Sequence, residues 1–263
     1  MPVFIDQIGR KITIEASPQS IISLVPSQTE LLFDLGLEKE VIGITKFCIH
    51  PDAWFSNKTK VGGTKQLNWS IIHQLKPDLI IANKEENSKD DITELEKHFP
   101  VWVSDINNLD AAYEMIEQVG LMTEKKSKAA SIIQIIQQEF QKLRANNSAR
   151  RKRTCCYLIW QNPFMTIGCQ TFIHSMLEEA GFINVFENKQ RYPETTIEEI
   201  KKLNPEILLL SSEPFPFSTK HFSQIQELLP NIKIILVDGE MFSWYGSRLM
   251  KAPDYFRKLS YSF

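Results

Sequence analysis

The sequence contains no apolar run long enough to cross a bilayer, which excludes a helical membrane span. It has no G-x-G-x-x-G turn, no P-loop and no G-x-S-x-G elbow, so the common glycine-framed nucleotide and hydrolase sites are absent. Val61-Gly62-Gly63-Thr64-Lys65 is glycine-rich but fits none of these and reads as a tight turn. Cysteine is scarce. Cys155 and Cys156 are adjacent, which disfavours a bridge between them, while Cys48 and Cys169 stand alone. No C-x-x-C pair suggests zinc, and buried thiols are expected. Charge of either sign is not in excess: the net charge is -2, which gives no hint of nucleic acid or of an anionic membrane surface. The short basic run Arg150-Arg151-Lys152-Arg153 reads as a solvated connector. The first residues show no basic head followed by an apolar core, the layout of a secretory leader, so either the chain is cytoplasmic or a leader has been removed.

Metal chemistry is also thin. His50, His73, His98, His174 and His221 are scattered, with no pair at ligand spacing, and all but His50 fall on helices or helix ends. The acids Glu85, Glu86, Asp90 and Asp91 read as a solvated loop and helix start rather than as a metal site.

What is present is an α/β pattern centred on residues 123–146. Ala129, Ile132, Ile133, Ile136, Phe140 and Leu143 recur at helical spacing and make one apolar stripe. Thr123 suits an N-cap, Glu124 the first turn, and Lys142 and Arg144 the last. Such a helix is roughly 35 Å long. It is either a long surface helix of one domain or a strut joining two lobes, and the sequence on either side favours the strut.

Before it, a hairpin over 3–15 turns at Gly9-Arg10. Strands follow at 21–25, 41–45, 79–82 and 101–103, with helices at 29–35, 71–75, 89–98 and 111–119. After it, strands at 155–160, 207–210 and 232–237 alternate with helices at 172–180, 197–203 and 251–259. The second half repeats the first: Ile72, Leu75, Pro77 and Asp78 match Ile200, Leu203, Pro205 and Glu206, and Gly36 and Gly181 each close a helix. Strands alternating with helices predict α/β lobes with mainly parallel sheets. The expected division is an N-terminal lobe over 1–122, the connecting helix over 123–146 and a C-terminal lobe over 147–263. A ligand cleft is expected between the lobes, at the carboxyl ends of the strands.

The loops after those strands are rich in aromatic residues. Phe47, His50, Trp54, Trp160, Phe164, Tyr192, Phe215, Phe217, Phe242, Trp244 and Tyr245 all fall there. Aromatics at one end of two sheets suggest a wall for a large flat ligand, although packing under long loops accounts for some of them. Ser27, Lys84, Asn87, Asn162, Glu213, Asp238, Glu240, Ser243 and Arg248 interleave as polar partners.

The run from Ser23 through Pro26-Ser27-Gln28-Thr29-Glu30 to Leu32, followed by Leu75-Lys76-Pro77-Asp78 to Ala82, resembles the helical-backbone (class III) solute-binding proteins of ABC importers for cobalamin, haem and ferric siderophores. The segment from Asp238 through Trp244-Tyr245-Gly246-Ser247-Arg248 resembles the last cleft loop of the cobalamin branch. The resemblance covers about 6–256 and implies two Rossmann-like lobes on one long rigid helix. It further implies a corrinoid cargo in a shallow cleft, a permease partner, a periplasmic location, and no catalysis. In the cobalamin branch an acid on each lobe docks on permease arginines. The matching positions here are Glu198 in the second lobe and Ser70 in the first. Family aromatics correspond to His50, Thr64 and Tyr192.

The expected cargo site comprises Ser27, Phe47, His50, Trp54, Lys84, Trp160, Asn162, Phe164, Tyr192, Glu213, Phe215, Phe242, Trp244, Tyr245 and Arg248. No intrinsic cofactor or metal is expected. A neutral His50 imidazole is an axial-ligand candidate for the cargo metal, with a hydrogen-bonding wall role favoured over it. A monomer without nucleic-acid partners is expected. The alternatives are ferric-siderophore or haem binding, or a chelatase-like enzyme, for which only His50 with Glu85 or Glu86 offers ligands.

Overall fold

The computed structural model describes residues 2–14 and 17–261 of the chain. They form two units, the first comprising Met1–Ile106, Asp110–Ile135 and Tyr245–Arg248, the second Asn107–Leu109, Ile136–Trp244 and Leu249–Phe263. The units therefore exchange short pieces that a linear division of the sequence does not show.

The first unit opens with β1 (Val3–Ile5) and β2 (Lys11–Thr13), an antiparallel pair turning at Gly9, whose φ of 85° suits a residue without a side chain. Position 15, the last of the expected hairpin, lies outside the described residues. Then follow β3 (Ile21–Ser23), α1 (Pro26–Asp34), β4 (Val41–Ile44), α2 (Asp52–Asn57), β5 (Thr59–Lys60), α3 (Trp69–Leu75), β6 (Leu79–Asn83), α4 (Lys89–Leu95), β7 (Val101–Ser104), α5 (Leu109–Met122) and the start of α6 (Lys126–Asn147). The sheet runs β5-β4-β3-β6-β7, every pair parallel. β6 is buried along its whole length, as a strand covered on both faces must be. The hairpin is pinned to β7 by the buried Asp6, which accepts from Arg10 Nε and Nη2 at 2.8 and 2.7 Å and from the Val103 amide at 3.3 Å.

The second unit continues from α6 into β8 (Arg153–Trp160), β9 (Phe164–Thr166), α7 (Phe172–Glu179), β10 (Phe182–Asn184), β11 (Glu194–Thr195), α8 (Ile197–Leu203), β12 (Ile207–Ser211), α9 (Thr219–Leu228), β13 (Lys233–Val237), α10 (Glu240–Ser243), a short 3-10 turn at Ser247–Met250 and α11 (Ala252–Leu259). Its sheet is mixed and runs β11-β9-β8-β12-β13: β12 pairs in parallel with both β8 and β13, β10 also pairs in parallel with β8, β9 pairs antiparallel with β8, and β11 antiparallel with β9. Among the described residues, no helix is long and apolar enough to cross a membrane.

The stripe on α6 is largely buried as its spacing requires: Ala129, Ile132, Ile136, Phe140 and Leu143 are covered, while Ile133 is half-buried. The start differs from expectation. Thr123 does not cap α6; its hydroxyl donates back to the Val119 carbonyl at 2.7 Å and so belongs to the end of α5. Glu124 adopts φ 57° in the corner between the helices. Gly120 allows that corner to close, because a Cβ there would lie 2.4 Å from that of Ala129.

The internal repeat has a physical counterpart. Lys76 and Asn204 end α3 and α8 in the left-handed region, at φ 48° and 46°. The acid two residues later binds backbone amides at the start of a neighbouring strand. Asp78 accepts from Gln19 and Ser20 at 2.8 and 2.9 Å, and Glu206 accepts from Thr154 at 3.1 Å. One helix-to-strand device is used in both units.

Candidate functional site

In the first unit Ser27 lies buried in the first turn of α1 after β3, Phe47 and His50 follow β4, and Lys84 follows β6. Phe47, just after β4, is 51% exposed, and His50 is half-buried in the same loop. After β6 the chain turns over a buried amide brace. The Asn83 side-chain oxygen accepts from the Glu85 and Glu86 amides, and that of Asn87 accepts from the Asn83 amide. The Asn87 amide donates to the carbonyls of Leu24 and Thr64, tying three strand-end loops together. Gln28 donates to Ser104 at 2.5 Å at the same end of the sheet. Lys84 stands at the surface paired with Asp105 at 2.5 Å.

Two expected ligand residues are instead engaged within this unit. Tyr245 is buried and its hydroxyl donates to Glu86 at 2.6 Å. Burial pushes the phenol well above its ordinary range, the Glu86 charge adds to that, and the Ser27 hydroxyl works the other way. Arg248 is buried in a two-bond pair with Glu30 at 2.8 and 2.9 Å. Gly246 sits so close to the Ser27 carbonyl that a Cβ would lie 2.4 Å from it. Trp54 is wholly covered. It lies on α2 rather than in an irregular loop, with its indole N–H donating to Glu38 at 2.6 Å and its ring edge-on to Phe33 at 5.4 Å. It has no surface to present to a ligand.

In the second unit, Trp160 at the carboxyl end of β8 is 40% exposed and backed edge-on by Phe215 at 5.6 Å. Phe215 in turn meets Phe217 at 4.7 Å and His221 at 5.3 Å. Asn162 is exposed at φ 65° in the turn that leads to the half-buried Phe164. Tyr192 is half-buried beneath Arg191, whose guanidinium carbon lies 5.8 Å from the ring centre.

Glu213 is held by Ser243 at 2.5 Å and by the indole N–H of Trp244 at 3.1 Å. Burial raises its carboxyl above the ordinary value, Ser243 opposes this, and the charge of Glu240 adds to it. Gly239 is required beside it, since a Cβ would lie 2.5 Å from the Glu213 side chain. Phe242 is wholly covered, packed on Tyr157 at 5.2 Å and Phe256 at 4.7 Å, and so belongs to the core rather than to a wall.

The two positions matched by resemblance to docking acids take equivalent places in the two units. Ser70 and Glu198 are both exposed and each follows a helix cap by two residues, the caps being Asn68 on α3 and Thr196 on α8. A hydrogen bond from its own backbone N–H, with one from the Thr196 side chain, lowers the Glu198 carboxyl.

Of the four cysteines, Cys48, Cys155 and Cys156 are buried and Cys169 is half-buried; none is bridged. Cys48 packs 3.1 Å from both Thr29 and Thr45, and burial raises its thiol. Among the described residues no group of three His, Cys, Asp or Glu side chains gathers as a metal site.

The sequence does not signal the partner roles of Glu30 and Asn83, nor that Glu86, expected in a solvated loop, accepts from the Tyr245 hydroxyl. Glu30 stood in the quoted Pro-Ser-x-Thr-Glu run, but no local signal joins it to position 248.

Two α/β units with large aromatic side chains left in water at their strand ends define an α/β solute-binding protein. The chain belongs to the periplasmic binding protein family, whose pattern matches residues 21–228. It is 27% identical over 264 residues to an uncharacterized ABC transporter substrate-binding lipoprotein of Bacillus subtilis, covering 96% of this chain and 83% of that one. It is 26% identical over 203 residues to a vitamin B12-binding protein of Vibrio vulnificus, covering 76% and 74%. Its fold is similar to that of the periplasmic vitamin B12 binding protein of Vibrio cholerae, with a TM-score of 0.76 at 21% identity over 93% of this chain and 98% of that one. It is also similar in fold to the periplasmic catecholate-siderophore binding protein of Vibrio cholerae, with a TM-score of 0.81 at 16% identity over 98% and 99%.

Proposed function

We propose that the chain is the solute-binding component of an ABC importer and that its cargo is a corrinoid. The observation that carries this reading is Trp160, a large indole kept in water at the carboxyl end of a parallel strand and braced from behind by Phe215. Exposed indoles are costly to leave in water unless a flat apolar partner covers them, and strand carboxyl ends are where open α/β sheets hold ligands. Phe47 plays the same part in the first unit. The vitamin B12-binding relatives supply the cargo class.

In this reading His50 hydrogen-bonds cargo rather than ligating its metal. Glu198 meets a permease arginine, and Ser70 does not form the matching ion pair. The protein works as a monomer outside the cytoplasm, holds no cofactor of its own and leaves its cargo chemically unchanged.

The test is a calorimetric comparison of cyanocobalamin, haem and a ferric catecholate siderophore on the purified chain. The reading requires the corrinoid to bind tightest, and tighter binding of either of the others would replace it.

A further inference from the structure

At the amino end of the second sheet the structure contains an open groove of about 550 Å³. Arg144, Arg150, Arg151, Lys152 and Arg153 line it, from the last turn of α6 to the first residue of β8. We propose that this groove binds a phosphate-bearing anion.

The walls are fixed first. Arg144 is clamped to Glu179 by two bonds at 2.8 and 2.5 Å, and Arg153 to Glu206 at 2.8 Å. Asn147 donates to the Glu179 carbonyl at 3.0 Å and packs against Gly181, so α6 and the end of α7 hold a fixed edge. Arg150 donates to the Ser260 hydroxyl, and its guanidinium lies 4.7 Å from the centre of the Tyr261 ring. Those partners orient Arg150 without neutralising it. Arg151 is 77% exposed and reaches only Glu206, at 3.4 Å, an acid already bound to Arg153.

Five cations thus face three carboxylates, Glu178, Glu179 and Glu206, in a chain whose overall charge is -2. The carbonyls ending α6 oppose an anion, but Arg144 in the last turn offsets them. Guanidinium groups held at fixed angles match phosphate oxygens in a way that scattered lysines do not.

A groove of about 460 Å³ in the first unit lacks this surplus. There Arg10 is bound by Asp6 and Glu96, and Lys97 by Glu94.

The basic groove is separate from the proposed cargo contact. Arg153 and Trp160 are the first and last residues of β8, roughly 20 Å apart along the strand. Substitutions in the groove should therefore leave cargo binding unchanged.

The phosphate could be that of a small anion or of a lipid headgroup beside which Tyr261, 69% exposed, could lie. Two arms separate them: NMR titration of the full chain with inorganic phosphate, and co-sedimentation with vesicles of phosphatidylglycerol and phosphatidylcholine in equal parts, against phosphatidylcholine alone. The comparison variant combines Arg150→Gln, Arg151→Gln and Lys152→Gln. Its melting curve and its corrinoid titration serve as controls on folding.

Wild-type protein should show saturable shifts confined to 144–153 and 178–181 with phosphate, or should sediment only with the anionic vesicles. The first result alone assigns a small anion, the second a headgroup. With anionic vesicles the variant should bind on the order of a hundredfold more weakly, at about 1 kcal/mol per basic side chain, and with phosphate it should lose the saturable shifts. Binding in neither arm, or equal binding by the folded variant, overturns the site.

Discussion

Arg248 reaches Glu30 with two parallel hydrogen bonds of 2.8 and 2.9 Å, joining positions 218 apart in the sequence, both nearly out of water. With Tyr245 on Glu86, this pair makes residues Tyr245–Arg248 part of the first unit although the rest of the late chain belongs to the second. Arg248→Ala leaves a buried carboxylate without its cation and should cost about 3–5 kcal/mol in denaturant unfolding. Replacing both partners by apolar residues of similar volume should cost less than either single change. Equal losses for the single and double variants would contradict this account of the pair.

The buried phenols predict weakening at alkaline pH. Burial raises both Tyr157 and Tyr245 above the ordinary 10.0. Each holds its proton more firmly folded than unfolded, so its contribution is fully present below that value and is lost as pH rises through the folded-state pKa. Tyr245→Phe should flatten the alkaline limb of a stability–pH curve while lowering stability at neutral pH through the lost Glu86 bond.

Glu213 predicts a slope in the acid range. Its folded-state pKa lies above the ordinary 4.5, chiefly through burial. Its contribution is therefore complete below that value and declines as pH rises through the folded-state pKa. Glu213→Gln keeps an acceptor for Ser243 and Trp244 and should remove that component, leaving stability at pH 7 unchanged or higher. Denaturant midpoints measured across the acid range read the difference directly.

Helix α6 predicts large losses at its covered stripe. Phe140→Ala should cost about 3–5 kcal/mol and Ile136→Ala about 2–5 kcal/mol, since both side chains are fully buried. Gln137→Ala, on the exposed face, should change stability little. Thermal melts of the three variants rank these directly.

What was legible in the sequence follows from the range of the forces involved. The α6 stripe, the parallel strands and the repeated Leu-x-Pro-acid device are local patterns, and local patterns are set by neighbours three or four residues away. Arg248 carries the sequence signature of a cargo contact, because its partner Glu30 lies in α1 and no local signal indicates it. Trp54 and Phe242 were read as wall residues because an aromatic in a loop has the same sequence signature whether it faces ligand or core. Short helices, α2 and α10, turn both inward. Thr123 was placed as a cap because a hydroxyl before a helix can bond forward or back, and here it bonds back. The short strands β5, β9, β10 and β11 carry no usable alternation in runs of two or three residues, whereas β1 and β2, equally short, are marked by the Gly9 turn between them.

Glu198 should matter to transport and not to cargo. It lies exposed at a helix start, two residues beyond its Thr196 cap, in the position that Ser70 takes in the first unit. Glu198→Lys should lower uptake in a reconstituted importer with corrinoid affinity unchanged, while Ser70→Ala should do neither. A loss of affinity in Glu198→Lys would assign it to the cargo site instead.

The corrinoid reading rests on Trp160, and one titration tests it: cyanocobalamin added to purified wild-type protein and to Trp160→Ala, followed by calorimetry. A stacked indole is expected to contribute about 1–3 kcal/mol to a flat ligand, so the account predicts saturable binding by wild type and a loss of affinity on the order of tenfold or more in the folded variant. Cyanocobalamin binding that is absent in wild type, or undiminished in Trp160→Ala, would contradict it.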